Sequence, residues 1–347
     1  MIPLYTEMRR QGHQVKLIST GQHRDLLQSI FANFNLTPDV DLDIMKAGQA
    51  LTDLSMNVAT QYAEVLKNTP PALVLVHGDT ASSYAAALAA FYSKVPVAHI
   101  EAGLRTHNLD SPFPEEFHRQ SIAKMATWHF APDEAAKKNL LDENIEEKRI
   151  IVTGNTIEDA VRQAVADRPY HSVSSEKKVL LTLHRREKGS ETLFEIFEEL
   201  RQTAEELPHV KFVFPTHPNP LIRQTAQKVF ANTPNVDVLK ALPYLSFLRQ
   251  LMTVDLVITD SGGIQEESAL LNKPVLLLRD HTERLDGLSN GLVTLLGTQP
   301  HDMKHHIKRA LFAKHQKGTS RNIFSEQNSP SAKISSYIFE NVIAQGA

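Results

Sequence analysis

The sequence contains no cysteine. That excludes disulfide frameworks, thiolate metal sites and cysteine nucleophiles. It also lacks an excess of charge of one sign. Lys plus Arg is 37 and Asp plus Glu is 40, so the net charge is −3, and no broad electrostatic face for nucleic acid is expected. Long hydrophobic runs are missing too. The longest small-apolar stretch, Ala81 to Tyr92, is interrupted by Ser82 and Ser83 and is too short to span a bilayer. The first residues, Met1-Ile2-Pro3-Leu4-Tyr5, run straight into Glu7, Arg9 and Arg10, unlike the basic start and apolar block of an export signal. A cytoplasmic protein without membrane association is the expectation. Neither a His-Glu-x-x-His zinc spacing nor a Gly-x-Ser-x-Gly elbow occurs.

What is present is ordinary globular material. At roughly 150 residues per domain, 347 residues suggest two domains, and 41% apolar residues suffice for sizeable cores. Short apolar runs alternate with amphipathic stretches. Strands are predicted at 15–18, 73–76, 97–100, 128–130 and 149–152, then at 179–182, 212–214, 236–239, 256–259, 275–278 and 293–295. Helices are predicted at Glu191 to Glu206 and at Gln265 to Leu271. Continuously apolar strands alternating with helices mean parallel βαβ units covered on both faces. The polar segment Arg168 to Lys178 reads as a linker. The expectation is therefore two doubly wound, Rossmann-like α/β domains, 1–170 and 171–347, facing each other across a cleft at the carboxyl ends of their strands.

Chemistry-bearing residues cluster at those strand ends. Asp79 follows the strand at 73–76, and Glu101 follows the strand at 97–100. Glu115 and Glu116 follow Ser111-Pro112-Phe113-Pro114 and open a helix. Paired carboxylates in different environments can divide acid and base roles. Asp79 could equally be a helix N-cap, and Glu115 and Glu116 a favourable first-turn charge. Glu101, between Ile100 and Ala102-Gly103, needs a partner at an apolar strand end. In the second half, His184-Arg185-Arg186-Glu187 follows a strand and suits an anion or, equally, a solvated turn. His217 lies among prolines and reads as structural. Thr259-Asp260-Ser261-Gly262-Gly263-Ile264-Gln265-Glu266-Glu267 carries a buried strand into a glycine corner and a helix, whose amides can cradle a phosphate. Glu267 lies one turn further, within reach of ribose hydroxyls. An ordinary capped turn is the alternative. These residues point to an enzyme that binds a nucleotide-like anion.

The same stretches resemble a known family, the non-hydrolysing UDP-N-acetylglucosamine 2-epimerases. Val76-His77-Gly78-Asp79-Thr80, His99-Ile100-Glu101-Ala102-Gly103-Leu104-Arg105-Thr106, Ser111 to Glu116, His129-Phe130-Ala131-Pro132, Thr153-Gly154-Asn155-Thr156, His184 to Glu187, Asp260 to Glu267 and Arg279 to Arg284 occur in family order. The resemblance implies a glycosyltransferase-B-like fold, with the last helix packing back on the first domain. It implies interconversion of UDP-GlcNAc and UDP-ManNAc through elimination of UDP, a 2-acetamidoglucal and re-addition. It places catalytic groups at Asp79, Glu101, Glu115 and His184, and substrate contacts at Arg119, Arg185, His217, Ser261, Gly262, Gly263, Glu267 and Arg284. It implies no metal, no NAD or other cofactor, a homodimer, and a role in surface-polysaccharide synthesis. A hydrolysing 2-epimerase is a further alternative, against which His184 to Glu187 argues.

Three departures qualify the resemblance. Members begin with a strand and a Gly-Thr-Arg-Pro-Glu loop, whereas this chain starts at Met1-Ile2-Pro3-Leu4. An N-terminal truncation, with unpaired strand edges and weakened folding and catalysis, is the corresponding expectation, and a catalytically silent UDP-sugar-binding remnant is the alternative function. Thr282-Glu283-Arg284-Leu285-Asp286 differs from the family's Thr-Glu-Arg-Pro-Glu, and Asn328-Ser329-Pro330-Ser331 from its Asn-Pro-Tyr-Gly.

Overall fold

The structure is a computed structural model that describes residues 1–21, 28, 30–32, 34–45, 48–165, 176–183, 190–216, 219–282, 288, 291–297, 302–312 and 329–343. The chain forms two compact units. One is Met1–Ala160 with Phe324–Ala347, and the other is Val161–Ile323.

The first unit opens with α1 (Ile2–Arg10), β1 (Ile18–Ser19), β2 (Val40–Asp41) and α2 (Leu51–Asn68). Four strand–helix units follow: β3 (Val74–His77) and α3 (Ala81–Tyr92), β4 (Val97–Ile100) and α4 (Glu115–Met125), β5 (Trp128–Ala131) and α5 (Glu134–Asp142), β6 (Ile150–Val152) and α6 (Ile157–Val165), whose residues from Val161 on belong to the second unit. Strands β3 to β6 form one parallel sheet in chain order, while β1 and β2 pair separately. The strand expected at 15–18 is reduced to Ile18–Ser19. The Asp39 carboxylate accepts from the Leu17 amide at 2.7 Å, so a side chain stands where a ladder partner would be. β2 had no counterpart among the predicted strands.

Residue type explains the layering of this unit. All four residues of β4 are buried, so no alternation marks a solvent face. Val74, Val76 and Val97 pack on Tyr62 and Leu66 of α2, on the alanines of α3 and on Ile122 of α4, together with Ile18 and Leu42 from around the small sheet. Alanines at 85, 87, 89 and 90 carry no side-chain entropy cost and let α3 lie close to the sheet. The opposite face buries Ala98, Ile100 and Phe130 against Leu4 and Met8 of α1 and against Ile334 and Ile338 of the terminal helix α12 (Pro330–Ile338). Each large apolar side chain so buried contributes about 1.5–3 kcal/mol. Polar contacts add register. Ser335 Oγ donates to Gln11 Oε1 at 2.7 Å, and the Ser331 amide donates to Asp159 at 2.8 Å.

That second unit contains β7 (Lys177–Thr182), α7 (Ser190–Glu206), β8 (Val210–Pro215), α8 (Pro220–Val229), β9 (Val236–Leu239), α9 (Tyr244–Thr253), β10 (Leu256–Thr259), α10 (Gly262–Leu270), β11 (Val275–Leu277), β12 (Val293–Leu295) and α11 (Met303–Phe312). Its parallel sheet has the order β12-β11-β10-β7-β8-β9. This is the doubly wound order, which reverses direction between β7 and β10. Alternate residues feed opposite layers: Val179, Leu181, Phe212, Phe214 and Ile258 face one core, and Leu180, Val213, Val257 and Leu277 face the other. Among the described residues, no helix is long and apolar enough to cross a membrane.

Two histidines lie wholly inside the first sheet. His99 and His129 are 0% exposed and stand opposite each other on β4 and β5. Burial, reinforced by the nearby Arg105 guanidinium, pushes His99 down to about 3 and His129 to about 4. Below pH ~6.5 the unfolded chain takes up protons that the folded chain refuses. The stability these neutral rings allow is thus present above pH ~6.5 and is lost as pH falls toward the folded values. In urea unfolding, His129→Leu is expected to gain on wild type by about 1.4 kcal/mol per pH unit between pH 6.5 and 4. Parallel pH profiles would contradict this.

Candidate active site

The first cluster is built on the turn between β3 and α3. Gly78 adopts φ +65°, and a Cβ there would meet Glu101 Oε2 at 3.1 Å, so glycine leaves room for that carboxylate. Thr80, rather than Asp79, caps α3, accepting from the Ser83 amide at 3.2 Å. Asp79 is therefore released from the capping role that its position allowed. Side chains organise the carbonyls of this turn. His77 O accepts from Ser83 Oγ at 2.6 Å, Gly78 O from His99 Nε2 at 2.8 Å, and Asp79 O from His118 Nδ1 at 2.9 Å. Arg119, 3% exposed, holds Asp79 Oδ2 at 2.5 Å through Nη2 and faces Glu116 Oε2 at 3.3 Å through Nη1.

Glu101 stands at the end of β4 with φ +64°, an uncommon conformation for a residue with a side chain. Two residues on, Gly103, also at positive φ (+92°), packs so tightly that a Cβ would come within 2.3 Å of Ala136 O. The turn aims the Glu101 side chain at Gly78, and Asn155, from the end of β6, donates to Glu101 Oε1 at 3.2 Å.

The adjacent glutamates of α4 separate completely. Glu116 is 0% exposed and accepts from the amides of Thr106 (3.0 Å) and His107 (3.1 Å) and from Gln120 Nε2 (2.8 Å). It pins the loop that precedes the helix. Glu115 is partly exposed, and its Oε2 is buried without a hydrogen-bond partner among the described residues. Neighbouring helical positions point about 100° apart, so one glutamate closes the structure while the other remains available.

The second cluster sits at the reversal point of the second sheet, where doubly wound proteins bind ligands. Thr182 Oγ1, at the end of β7, donates to Thr259 Oγ1, at the end of β10, at 2.7 Å. Thr259 Oγ1 also accepts the Ser261 amide at 3.0 Å, and Ser261 Oγ caps α10 at Ile264. The Gly262 and Gly263 amides remain at the positive end of the helix. Among the described residues, nothing lies within 4 Å of where a Cβ on Gly263 would be, so packing does not demand a glycine there. Glu267, one turn on, is 6% exposed and accepts from Tyr244 Oη at 2.9 Å. Burial raises it to about 7, opposed by the Tyr244 hydrogen bond and assisted by Glu266. Burial and the Glu267 charge also push the Tyr244 phenol up.

The structure thus brings Asp79 and Glu101 around one turn, places Glu115 one helical turn before the His118 that binds the Asp79 carbonyl, and brings Ser261, Gly262, Gly263 and Glu267 around another. Arg119 lies against Asp79 and Glu116. His184, Arg185, His217 and Arg284 lie outside the described residues. His118, Asn155 and Tyr244 were given no role by sequence. Asn155 sat in a family-like stretch, His118 was one turn beyond Glu115, and Tyr244 carried no signal.

The sheet order and strand-end sites define a glycosyltransferase-B-like protein of two Rossmann-like units. Comparison with known proteins sharpens this. The family model described as UDP-N-acetylglucosamine 2-epimerase matches residues 6–338. The UDP-N-acetylglucosamine 2-epimerase of Bacillus subtilis is 40% identical over 316 residues, covering 90% of this chain and 83% of that protein. The crystal structure of the UDP-GlcNAc 2-epimerase from Neisseria meningitidis bound to UDP-GlcNAc aligns with a TM-score of 0.86 and 35% identity, over 98% of this chain and 95% of that one. The S. aureus MnaA–UDP co-structure aligns at 0.89 and 34% identity, over 99% and 93%. The chain belongs to the UDP-N-acetylglucosamine 2-epimerase family.

Replacing Glu116 by Leu leaves two backbone amides without their buried acceptor and removes one of the two carboxylates facing Arg119. The expected loss is about 3–5 kcal/mol in urea unfolding, whereas Glu116→Gln, which keeps one acceptor oxygen, loses less. Equal stability of the Leu variant and wild type would contradict the network.

Proposed function

We propose that the protein interconverts UDP-N-acetylglucosamine and UDP-N-acetylmannosamine by inversion at C2. Family membership across residues 6–338 supports the reaction class. The observation that supports the chemistry is that Asp79 and Glu101 stand at one turn, with Glu115 one helical turn before the His118 that binds the Asp79 carbonyl.

The C2 hydrogen of the sugar has no adjacent carbonyl, so simple proton abstraction leaves an unstabilised carbanion. Elimination avoids that. A carboxylate takes the C2 proton, the C–H electron pair forms the C1=C2 double bond, and UDP leaves C1 with its glycosidic oxygen. A second group then delivers a proton to the opposite face of C2 while the UDP oxygen returns to C1. The route needs an acid and a base of similar strength and a hold on UDP throughout. In this reading the Gly262 and Gly263 amides and the α10 dipole hold the diphosphate and stabilise the charge of departing UDP. Glu267 meets the ribose, and its near-neutral titration couples UDP binding to pH. The resemblance also supports a homodimer and a cytoplasmic place of work, where charged nucleotide sugars are retained, with a product suited to polysaccharide assembly.

In deuterated water, proton NMR with UDP-GlcNAc is expected to show the manno epimer appearing together with deuterium at C2. Asp79→Asn and Glu101→Gln are each expected to lower kcat about 10²–10⁴-fold while UDP binding survives. UDP binding without exchange in the wild-type protein would overturn the proposal.

Gly263→Ala separates the diphosphate cradle from the fold. Alanine favours the helix by up to about 1 kcal/mol, and the site has room for it, so the melting temperature should hold or rise. UDP affinity measured by calorimetry should nevertheless fall about 10-fold. Undiminished affinity would remove Gly263 from the site.

A further inference from the structure

α4 holds Asp79 from two directions. Arg119 takes its carboxylate, and His118 Nδ1 takes its backbone carbonyl at 2.9 Å. The two residues are consecutive on the helix and lie three and four positions beyond Glu115, which puts them on the same helical face as Glu115. The His118 ring is 4% exposed and lies flat on Tyr84 of α3, with centroids 5.0 Å apart and planes at 11°. Its orientation is therefore fixed independently of the hydrogen bond. Holding this carbonyl fixes the Asp79–Thr80 peptide plane and so restrains the backbone from which the Asp79 side chain extends.

We infer that His118 is a positioning residue: its Nδ1–H, clamped by the Tyr84 stack, orients the Asp79 peptide and so sets the placement of the Asp79 carboxylate relative to Glu115. The inference rests on the reading that Asp79 takes part in the epimerisation. His118 itself moves no proton in this account. Its contribution is geometric, and errors of about 1 Å at reacting groups cost about 100-fold in rate.

Asn, Leu and Phe at position 118 test this. The Asn amide nitrogen stands where His Nδ1 stands, so His118→Asn keeps the donor and loses the stack. Leu has nearly the shape of Asn without the donor, and Phe keeps the stack without the donor. The expected result is kcat within about 3-fold of wild type for Asn, and at least about 10-fold lower for both Leu and Phe, with KM and UDP affinity within about 3-fold for all three. An Asn variant as slow as Leu overturns the inference, as do Leu and Phe variants as fast as wild type. Activity that follows melting temperature, or failure of the donorless variants to fold, makes His118 part of the scaffold and overturns it as well. Asp79→Asn in the same assay separates the two levels. If it remains active, the reading of Asp79 fails. If it is inactive beside a fully active His118→Leu, that reading stands and the positioning role fails.

Discussion

A parallel strand that ends beneath a helix leaves backbone groups beyond its last ladder bond, and those groups must find partners or face a ligand. This constraint governs both clusters. After β3, side chains from α3, β4 and α4 close the carbonyls of His77, Gly78 and Asp79. After β10, the Ser261 amide and the Ile264 amide are closed by Thr259 and Ser261, while among the described residues nothing closes the glycine amides between them. One turn is completed by the protein. The other has a positive edge beneath open space.

The difference suits the two tasks proposed for the units. Proton transfer needs carboxylates held at fixed distances, which calls for a turn whose every backbone group is restrained. Holding a diphosphate needs exposed amides on a rigid helix, which calls for a turn left incomplete. The buried network of Glu116, Arg119, Gln120 and the Thr106 and His107 amides extends the first requirement outward. It anchors the loop before α4 and through Arg119 reaches Asp79. Glu267 shows the cost of the second requirement. Its carboxylate is buried beside the cradle, and without the Tyr244 hydroxyl its charge would be harder still to keep.

Sequence and structure agree where the physical signal is local. Mostly apolar runs such as Val97–Ile100 and Leu256–Thr259 became central strands with the expected bounds, because a strand buried on both faces needs no alternation of apolar and polar residues. The strand at 15–18 shrank, because Asp39, more than 20 residues away, intervenes at Leu17. Asp79 was legible as a strand-end carboxylate but not as distinct from a cap. Only the bond from the Ser83 amide to Thr80 decides that.

Glu115 and Glu116 show most clearly where the division falls. In the chain they are the same residue type, side by side at a helix start. Helical periodicity by itself dictates that they face different directions, and the glycine corner at 262–263 by itself offers either an anion-binding helix start or an ordinary capped turn. Which glutamate is enclosed, that Gly103 packs against Ala136, and that His118 and Tyr244 bond Asp79 and Glu267 depend on contacts between residues 9 to 39 positions apart. Such contacts exist only once the sheets have brought their strand ends together, so tertiary structure decided them.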